Sequence, residues 1–112
     1  MKLSATQLDG TDLVKVTGEI DITTIAELDD FFSGLDAPIL VIDLTEVTFM
    51  DTSGVHFLLR TSNRADGSER DVRLVVTPQR SVHVLLKLTG LTDQFTIVES
   101  ADEFAVPLDE HR

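Results

Sequence analysis

The sequence predicts one α/β domain over residues 1–112, with a mostly parallel sheet that begins in an antiparallel hairpin. Strand-like and helix-like segments alternate along the chain, which is typical of strands joined by helical crossovers. Asp9-Gly10 lies between two strand-like segments and suits a tight hairpin turn. The apolar run from Ile39 to Leu44, interrupted only at Asp43, predicts a central strand. A chain of 112 residues is long enough to bury a core of its own.

The N-terminal third predicts the hairpin and a first helix. Its strands are expected over residues 2–8 and 11–17, and Gly18 is expected to end the second strand. Thr24 and Glu27 have capping-box spacing, in which Thr24 caps the backbone N–H of Glu27 and Glu27 reaches back. The apolar residues that follow at helical spacing predict one buried stripe on this helix: Ile25, Leu28, Phe32 and Leu35.

The middle of the chain predicts a buried strand and a second helix. The strand from Ile39 does not alternate in polarity, so both of its faces are expected to be buried. A short loop through Phe49 and Met50 then leads to a helix that begins near Ser53 and ends at Asp66-Gly67. Four apolar residues of this helix are expected to face the core: Val55, Leu58, Leu59 and Ala65.

The C-terminal third predicts two more strands and two more helices. Strands are expected over residues 72–76 and 95–98, with a helix over residues 81–88 between them. The capping-box spacing of Ser100 and Glu103 predicts a final short helix, because Pro107 cannot lie inside one. The predicted order is β-β-α-β-α-β-α-β-α, with four to five strands and right-handed crossovers.

Composition excludes several kinds of catalytic site. The chain has no cysteine, which excludes disulfides, thiolate metal sites and cysteine nucleophiles. His56, His83 and His111 lack metal-ligand spacing, and the glycines form neither a phosphate-binding loop nor a dinucleotide fingerprint. Asp43 and Asp51, expected near the end of one strand, are only a weak candidate for an acid–base pair. We therefore predict no enzyme activity, no metal and no cofactor.

Charge limits the possible partners. The net charge is −11, and residues 1–59 alone carry eleven acidic and two basic residues. Such a field repels phosphate groups, which disfavours nucleic acids and anionic membranes as partners. No run approaches the ~18 apolar residues that cross a membrane, and the first ten residues do not resemble a secretory signal. We expect a cytoplasmic protein that is not inserted in a membrane.

The segment from Met50 to Gly54 is the strongest candidate for a functional site. Thr52 or Ser53 is expected to cap the second helix through its hydroxyl. A hydroxyl at a helix start that follows a strand is also exposed enough for a kinase to reach. A phosphate there would add about −1.5 to −2 charges beside Asp51, while the helix N-terminus tolerates that charge. Phosphorylation at this position would therefore block an interface and leave the domain folded.

Three motifs, in this order along the chain, resemble the STAS family, and specifically the bacterial anti-sigma factor antagonists. The longest runs from Asp43-Leu44 through Val47-Thr48-Phe49-Met50-Asp51-Thr52-Ser53-Gly54-Val55. Gly18-Glu19-Ile20-Asp21 resembles the family's upstream element, and Leu88-Thr89-Gly90-Leu91 resembles its downstream one. The resemblance covers nearly the whole chain, and it implies a STAS-like mixed sheet with about four helices.

The resemblance implies a partner-switching cycle. The unphosphorylated protein would bind an anti-sigma factor that is also a serine/threonine kinase, and a sigma factor would be released. The kinase would phosphorylate Thr52, or the adjacent Ser53, and a metal-dependent serine/threonine phosphatase would remove the phosphate. The partner surface that we expect from the resemblance comprises Asp21, Thr23, Asp51, Thr52, Ser53, Gly54, Val55 and His56.

Two residues depart from the family pattern, and two other functions stay open. Thr52 stands where the antagonists commonly carry serine, which bears on the choice of kinase. His56 stands where many members have a small residue, which would alter contact with the partner. The alternatives are a stand-alone STAS adaptor subunit of a membrane transport complex and a scaffold component of a stress-sensing assembly.

Overall fold

A computed structural model describes residues 1–63, 67–77, 81–90 and 95–98. Within these residues lie five strands and three helices. The strands are β1 (Lys2–Leu8), β2 (Thr11–Ile20), β3 (Ile39–Met50), β4 (Asp71–Val75) and β5 (Thr96–Val98). The helices are α1 (Ile25–Phe32), α2 (Thr52–Thr61) and α3 (Ser81–Leu88). The final helix expected from Ser100 lies outside the described residues.

The five strands form one mixed sheet in the order β1-β2-β3-β4-β5. β1 pairs antiparallel with β2 across the turn at Asp9-Gly10, where Gly10 has a φ of 71°. The pairs β2–β3, β3–β4 and β4–β5 are all parallel. The predicted fold class, with its N-terminal hairpin and parallel remainder, is confirmed.

One face of the sheet packs against the helices and forms the main core. Alternate residues of the central strands, such as Val14, Leu40 and Leu74, join residues of α1, α2 and α3 in a single cluster. A smaller cluster of buried side chains around Val41 and Val75 lies on the other face of the sheet. Both faces of β3 are therefore buried, as its unbroken apolar run predicts.

Two strands run further than the sequence predicts. β2 does not end at Gly18 but continues to Ile20, and β3 continues through Phe49 to Met50 in place of the expected loop. The ladder between β2 and β3 persists because two register shifts absorb the irregularity, one of them beside Gly18, whose φ is 116°. Both strands therefore end together, with Ile20 paired to Met50.

The first helix confirms the predicted stripe but not the capping box. Leu28 and Phe32 are buried, and the two flanking members of the stripe pack partly against the core. Thr24 is the N-cap residue, but its side chain makes no capping hydrogen bond. Its hydroxyl instead accepts from the N–H of Asp21 (3.0 Å) and donates to the carbonyl of Glu19 (3.0 Å). The predicted capping box is wrong because the preceding loop uses the Thr24 hydroxyl.

The second helix ends at Thr61, five residues before the predicted stop. The hydroxyls of Thr61 and Ser62 donate to the carbonyls of Leu58 and Leu59, each at 2.6 Å, and so satisfy acceptors of the last turn. Val55 and Leu58 are buried and Leu59 is half-buried, as predicted, whereas Ala65 lies outside the described residues.

Phe57 is a core residue that the apolar spacing of α2 does not predict, and only 1% of it is exposed. Its ring packs edge-to-face on Phe32, with the centroids 4.9 Å apart. This contact joins α2 to α1 and gives α2 a wider buried face than the predicted stripe.

Asp12, Ala37 and Arg70 form a buried cluster at the beginning of the parallel strands, which we call the clasp. One carboxylate oxygen of Asp12 accepts from the N–H of Ala37 (3.0 Å) and lies 3.6 Å from a guanidinium nitrogen of Arg70. The Nε of Arg70 donates to the carbonyl of Ala37 (2.9 Å). The clasp joins three chain segments at the end of the sheet away from Thr52.

Candidate functional site

The candidate site is built from the two segments that follow β2 and β3. These strands are parallel and end as a pair, and the N–H of Asp51 donates to the carbonyl of Ile20 (3.2 Å). Asp21 and Asp51 therefore leave the sheet side by side. This is the carboxyl edge of the strands, where open α/β sheets hold their sites.

Asp51 caps α2. Its backbone is extended, and its carboxylate accepts from the N–H of Ser53 (2.8 Å). Its carbonyl oxygen accepts from the N–H groups of Gly54 (3.0 Å) and Val55 (3.3 Å). The prediction that Thr52 or Ser53 caps the helix is wrong, because Asp51 is the N-cap residue and its carboxylate bonds the N–H of Ser53. The hydroxyls of Thr52 and Ser53 are not needed as caps.

The residues that begin α2 differ in their accessibility. Thr52 and His56 are exposed, and Ser53 is half-buried. Gly54 and Val55 are buried, so they hold the helix in place and offer no side chain to a partner. Of the predicted surface on this helix, the structure leaves Thr52 and His56 open to solvent, with Ser53 partly so.

Gly54 allows α2 to approach the ends of β2 and β3 closely. A Cβ atom added to Gly54 would overlap Cγ of Met50, and it would lie 2.7 Å from Sδ of Met50 and 2.9 Å from Cγ2 of Ile20. Both neighbours are buried, so neither can move into solvent. The position of Thr52 over the strand ends thus depends on the missing side chain at Gly54.

The segment from Asp21 to Thr24, which we call the β2–α1 loop, is held by its own side chains. One carboxylate oxygen of Asp21 accepts from the N–H (2.9 Å) and from the hydroxyl (2.5 Å) of Thr23. The carbonyl of Asp21 accepts from the N–H groups of Thr24 and Ile25, each at 3.0 Å. The Thr23 hydroxyl bond, followed by the Thr23 N–H bond, lowers the pKa of Asp21 below its usual value. Asp21 is therefore a fixed negative charge at the strand end next to Asp51.

The structure separates the two carboxylates that the sequence offered as an acid–base pair. Asp43 lies within β3, where its carboxylate accepts from the N–H (2.9 Å) and hydroxyl (2.6 Å) of Thr45. Asp51 follows β3, eight residues later, which is about 25 Å along an extended strand. The pairing of Asp43 with Asp51 is wrong because β3 continues beyond Asp43.

Two further features of the described residues bear on function. No group of three or more His, Asp or Glu side chains there could hold a metal ion. Over the same residues, no helix is long and apolar enough to cross a membrane. The side chain of His83 and all of His111 lie outside this description.

A cavity of about 310 Å³ opens between α1 and α2, towards the clasp. Phe32 and Phe57 contribute to its lining, and the ion pair between Arg60 and Asp29 lies beside them. None of the residues predicted for the functional site lines this cavity. It is separate from the surface around Thr52.

The fold of this chain is similar to the folds of solved anti-sigma factor antagonists. An anti-sigma factor antagonist from Mycobacterium paratuberculosis is 27% identical, with a TM-score of 0.80 over 95% of this chain and 92% of that one. SpoIIAA in its unphosphorylated form is 14% identical, with a TM-score of 0.71 over 97% and 98% of the two chains. The fold of the second relative is thus shared despite little sequence identity.

The family comparison agrees with the motifs that surround the site. The STAS domain family matches residues 2–104, which include both the β2–α1 loop and the start of α2. The matched region also contains every strand and helix described above. This chain belongs to the STAS domain family.

Proposed function

We propose that this protein is an anti-sigma factor antagonist that acts as a single domain in the cytoplasm. In its unphosphorylated form it binds an anti-sigma factor with serine/threonine kinase activity, and a sigma factor is released. Phosphorylation at Thr52 ends this binding, and a metal-dependent phosphatase restores it. The 27% identical relative, itself an anti-sigma factor antagonist, supports this proposal over nearly the full chain.

The exposure of Thr52 at the first residue of α2 is the observation that carries the proposal. Asp51 caps the helix, so the Thr52 hydroxyl can accept a phosphoryl group without loss of a structural bond. Ser53 is half-buried and its N–H is bound by Asp51, which makes it harder for a kinase to reach. We therefore propose Thr52 as the acceptor. The γ-phosphoryl group moves from ATP to the Thr52 oxygen, the hydroxyl proton is released, and ADP leaves.

Phosphate on Thr52 acts on the partner and leaves the domain folded. The N–H groups of Ser53, Gly54 and Val55 already bond to Asp51, so the phosphate does not replace a missing cap. It adds about −1.5 to −2 charges beside Asp51 and close to Asp21. A partner that fits the uncharged hydroxyl would meet like charge or a steric block at that point.

A phosphorylation assay tests this function. Each anti-sigma factor of the kinase type encoded in the same genome is purified and incubated with the protein and Mg²⁺-ATP. We expect one of them to phosphorylate the wild type and Ser53→Ala but not Thr52→Val, with the site located by mass spectrometry. Modification of Thr52→Val at the wild-type rate would move the acceptor to another residue, and failure of every kinase would contradict the function.

Affinity capture separates this function from the two alternatives. Tagged wild type and the Thr52→Glu, Ser53→Glu variant are expressed in the native cells. A kinase-type anti-sigma factor held only by the wild type is the expected result. Transporter subunits held equally by both forms would favour the adaptor, and a large stress-sensing assembly would favour the scaffold.

A further inference from the structure

Ile22 is an unusually exposed apolar residue in the centre of the β2–α1 loop. Ile22 is 74% exposed, whereas Ile20, two residues before it, is fully buried. A single exposed isoleucine is common on protein surfaces and indicates no function by itself. Ile22 differs from such residues because the loop that carries it is short and is held by hydrogen bonds.

The loop holds Ile22 in a fixed position. Asp21, directly before it, bonds to the N–H and hydroxyl of Thr23, directly after it. The Thr24 hydroxyl then ties the loop back to the N–H of Asp21 and the carbonyl of Glu19. A loop backbone fixed in this way loses little further freedom on binding, which lowers the entropic cost of presenting Ile22 to a partner.

A second exposed apolar residue lies at the same edge of the sheet. Phe49 is 45% exposed and pairs in register with Glu19, one position before β2 and β3 end. Thr52 lies three residues after Phe49, and Ile22 lies three residues after Glu19. Two large apolar side chains therefore stand within three residues of the strand ends from which Thr52 and Asp21 emerge.

Acidic side chains dominate the charge around these residues. Residues 16–59 contain nine acidic residues and neither lysine nor arginine. Glu19 is exposed beside Phe49, and the Asp21 and Asp51 carboxylates are held next to Ile22 and Thr52. The positive groups that approach this edge are the amino group of Met1, beside Gly18, and Lys2, opposite Thr17 on the edge strand. A partner that covers this edge must bring positive charge to it.

We propose that Ile22 is the main apolar anchor for the anti-sigma factor and that it enters an apolar socket with a cationic rim. Phe49 makes a second apolar contact outside the socket, because its side chain lies on the sheet face opposite the buried Met50. Glu19, Asp21 and Asp51 face the rim. This inference rests on the proposed function and adds the chemistry of the partner's surface. Buried apolar anchors near the centre of an interface control its dissociation, while charges at the rim control association.

Binding kinetics test the anchor. The kinase that phosphorylates Thr52 is immobilised, and Ile22→Ser, Ile22→Leu and Glu19→Gln are compared with the wild type at two salt concentrations. We expect Ile22→Ser to dissociate about tenfold faster or more, and Ile22→Leu to restore most of the affinity. Glu19→Gln should mainly slow association, and added salt should reduce that difference.

Leu88 supplies the matched control. It is 80% exposed, but it lies at the end of α3 and away from the strand ends of β2 and β3. Leu88→Ser should bind like the wild type. If the wild type binds and Ile22→Ser dissociates no faster than Leu88→Ser, the anchor is wrong while the proposed function stands. If no kinase binds the wild type, the proposed function itself fails, and the anchor fails with it.

Discussion

At the end of the sheet where β2 and β3 finish, Asp21 and Asp51 are half-buried, and their carboxylates bond to nearby N–H and hydroxyl groups. At the opposite end, the Asp12 carboxylate is buried in the clasp and faces Arg70. The first two carboxylates shape a surface that a partner can reach. The third joins separate chain segments where no partner can reach it.

The difference shows how burial decides what a carboxylate does. A half-exposed carboxylate that caps a helix or closes a loop keeps its charge at little cost and displays it to partners. A buried carboxylate has lost its water and depends on a cation and on donors with good geometry. Substitutions at the two ends should therefore separate stability from binding.

Removal of Arg70 should have the largest effect on stability. Arg70→Met leaves the buried Asp12 carboxylate without its cation, and we expect the free energy of unfolding to fall by about 3–5 kcal/mol. Urea denaturation measures this change. The matched control is Arg60→Met, since Arg60 and Asp29 form an ion pair with side chains 51% and 47% exposed. That variant should lose about 1 kcal/mol or less. Equal losses in both variants would contradict the importance of the clasp.

Gly54→Ala should have an intermediate effect, because the new Cβ overlaps buried side chains of Met50 and Ile20. Overpacking of this kind costs about 1–3 kcal/mol, and any shift of α2 moves Thr52. We expect lower stability and slower phosphorylation of Thr52. Gly34→Ala is the control, since the nearest atom to its added Cβ is 3.8 Å away. Wild-type behaviour of both variants would show that close packing at Gly54 does not position the helix.

The titration of Asp21 should show the smallest effect. Its pKa is lowered in the folded protein, so its contribution to stability is present above the ordinary aspartate value of about 3.9. That contribution is lost as the pH falls through the lowered folded value. Thr23→Val removes the first cause of the shift, so the pKa should move up towards its ordinary value. Carboxyl ¹³C chemical shifts measure it, and an unchanged titration would show that the Thr23 hydroxyl does not hold Asp21.

Much of the fold could be predicted because it depends on local patterns. The Asp9-Gly10 turn, the unbroken apolar run of β3 and the apolar stripe of α1 each follow from a few neighbouring residues. The lengths of β2 and β3 could not be predicted in this way. Each strand is extended by the other across a ladder that tolerates two register shifts, and single-strand periodicity does not report such pairing.

The candidate site could be located from its motif, but its internal bonds could not. The sequence offered Asp51, Thr52 and Ser53 as three polar residues before a helix, and the backbone angles of Asp51 decide which of them caps it. Asp12 and Arg70 meet across 58 residues of sequence, so no local pattern relates them. The exposure of Ile22 also depends on the loop bonds of Thr23 and Thr24, which periodicity does not reveal.

A map of the partner surface on the free protein tests directly whether the anti-sigma factor binds at the ends of β2 and β3. Amide chemical shifts of ¹⁵N-labelled protein are recorded while the kinase that phosphorylates Thr52 is added without ATP. We expect the changes to centre on residues 19–24 and 49–56, to spare the clasp, and to disappear for the Thr52→Glu variant. Changes centred on Asp12, Ala37 and Arg70, or equal changes with Thr52→Glu, would contradict this expectation.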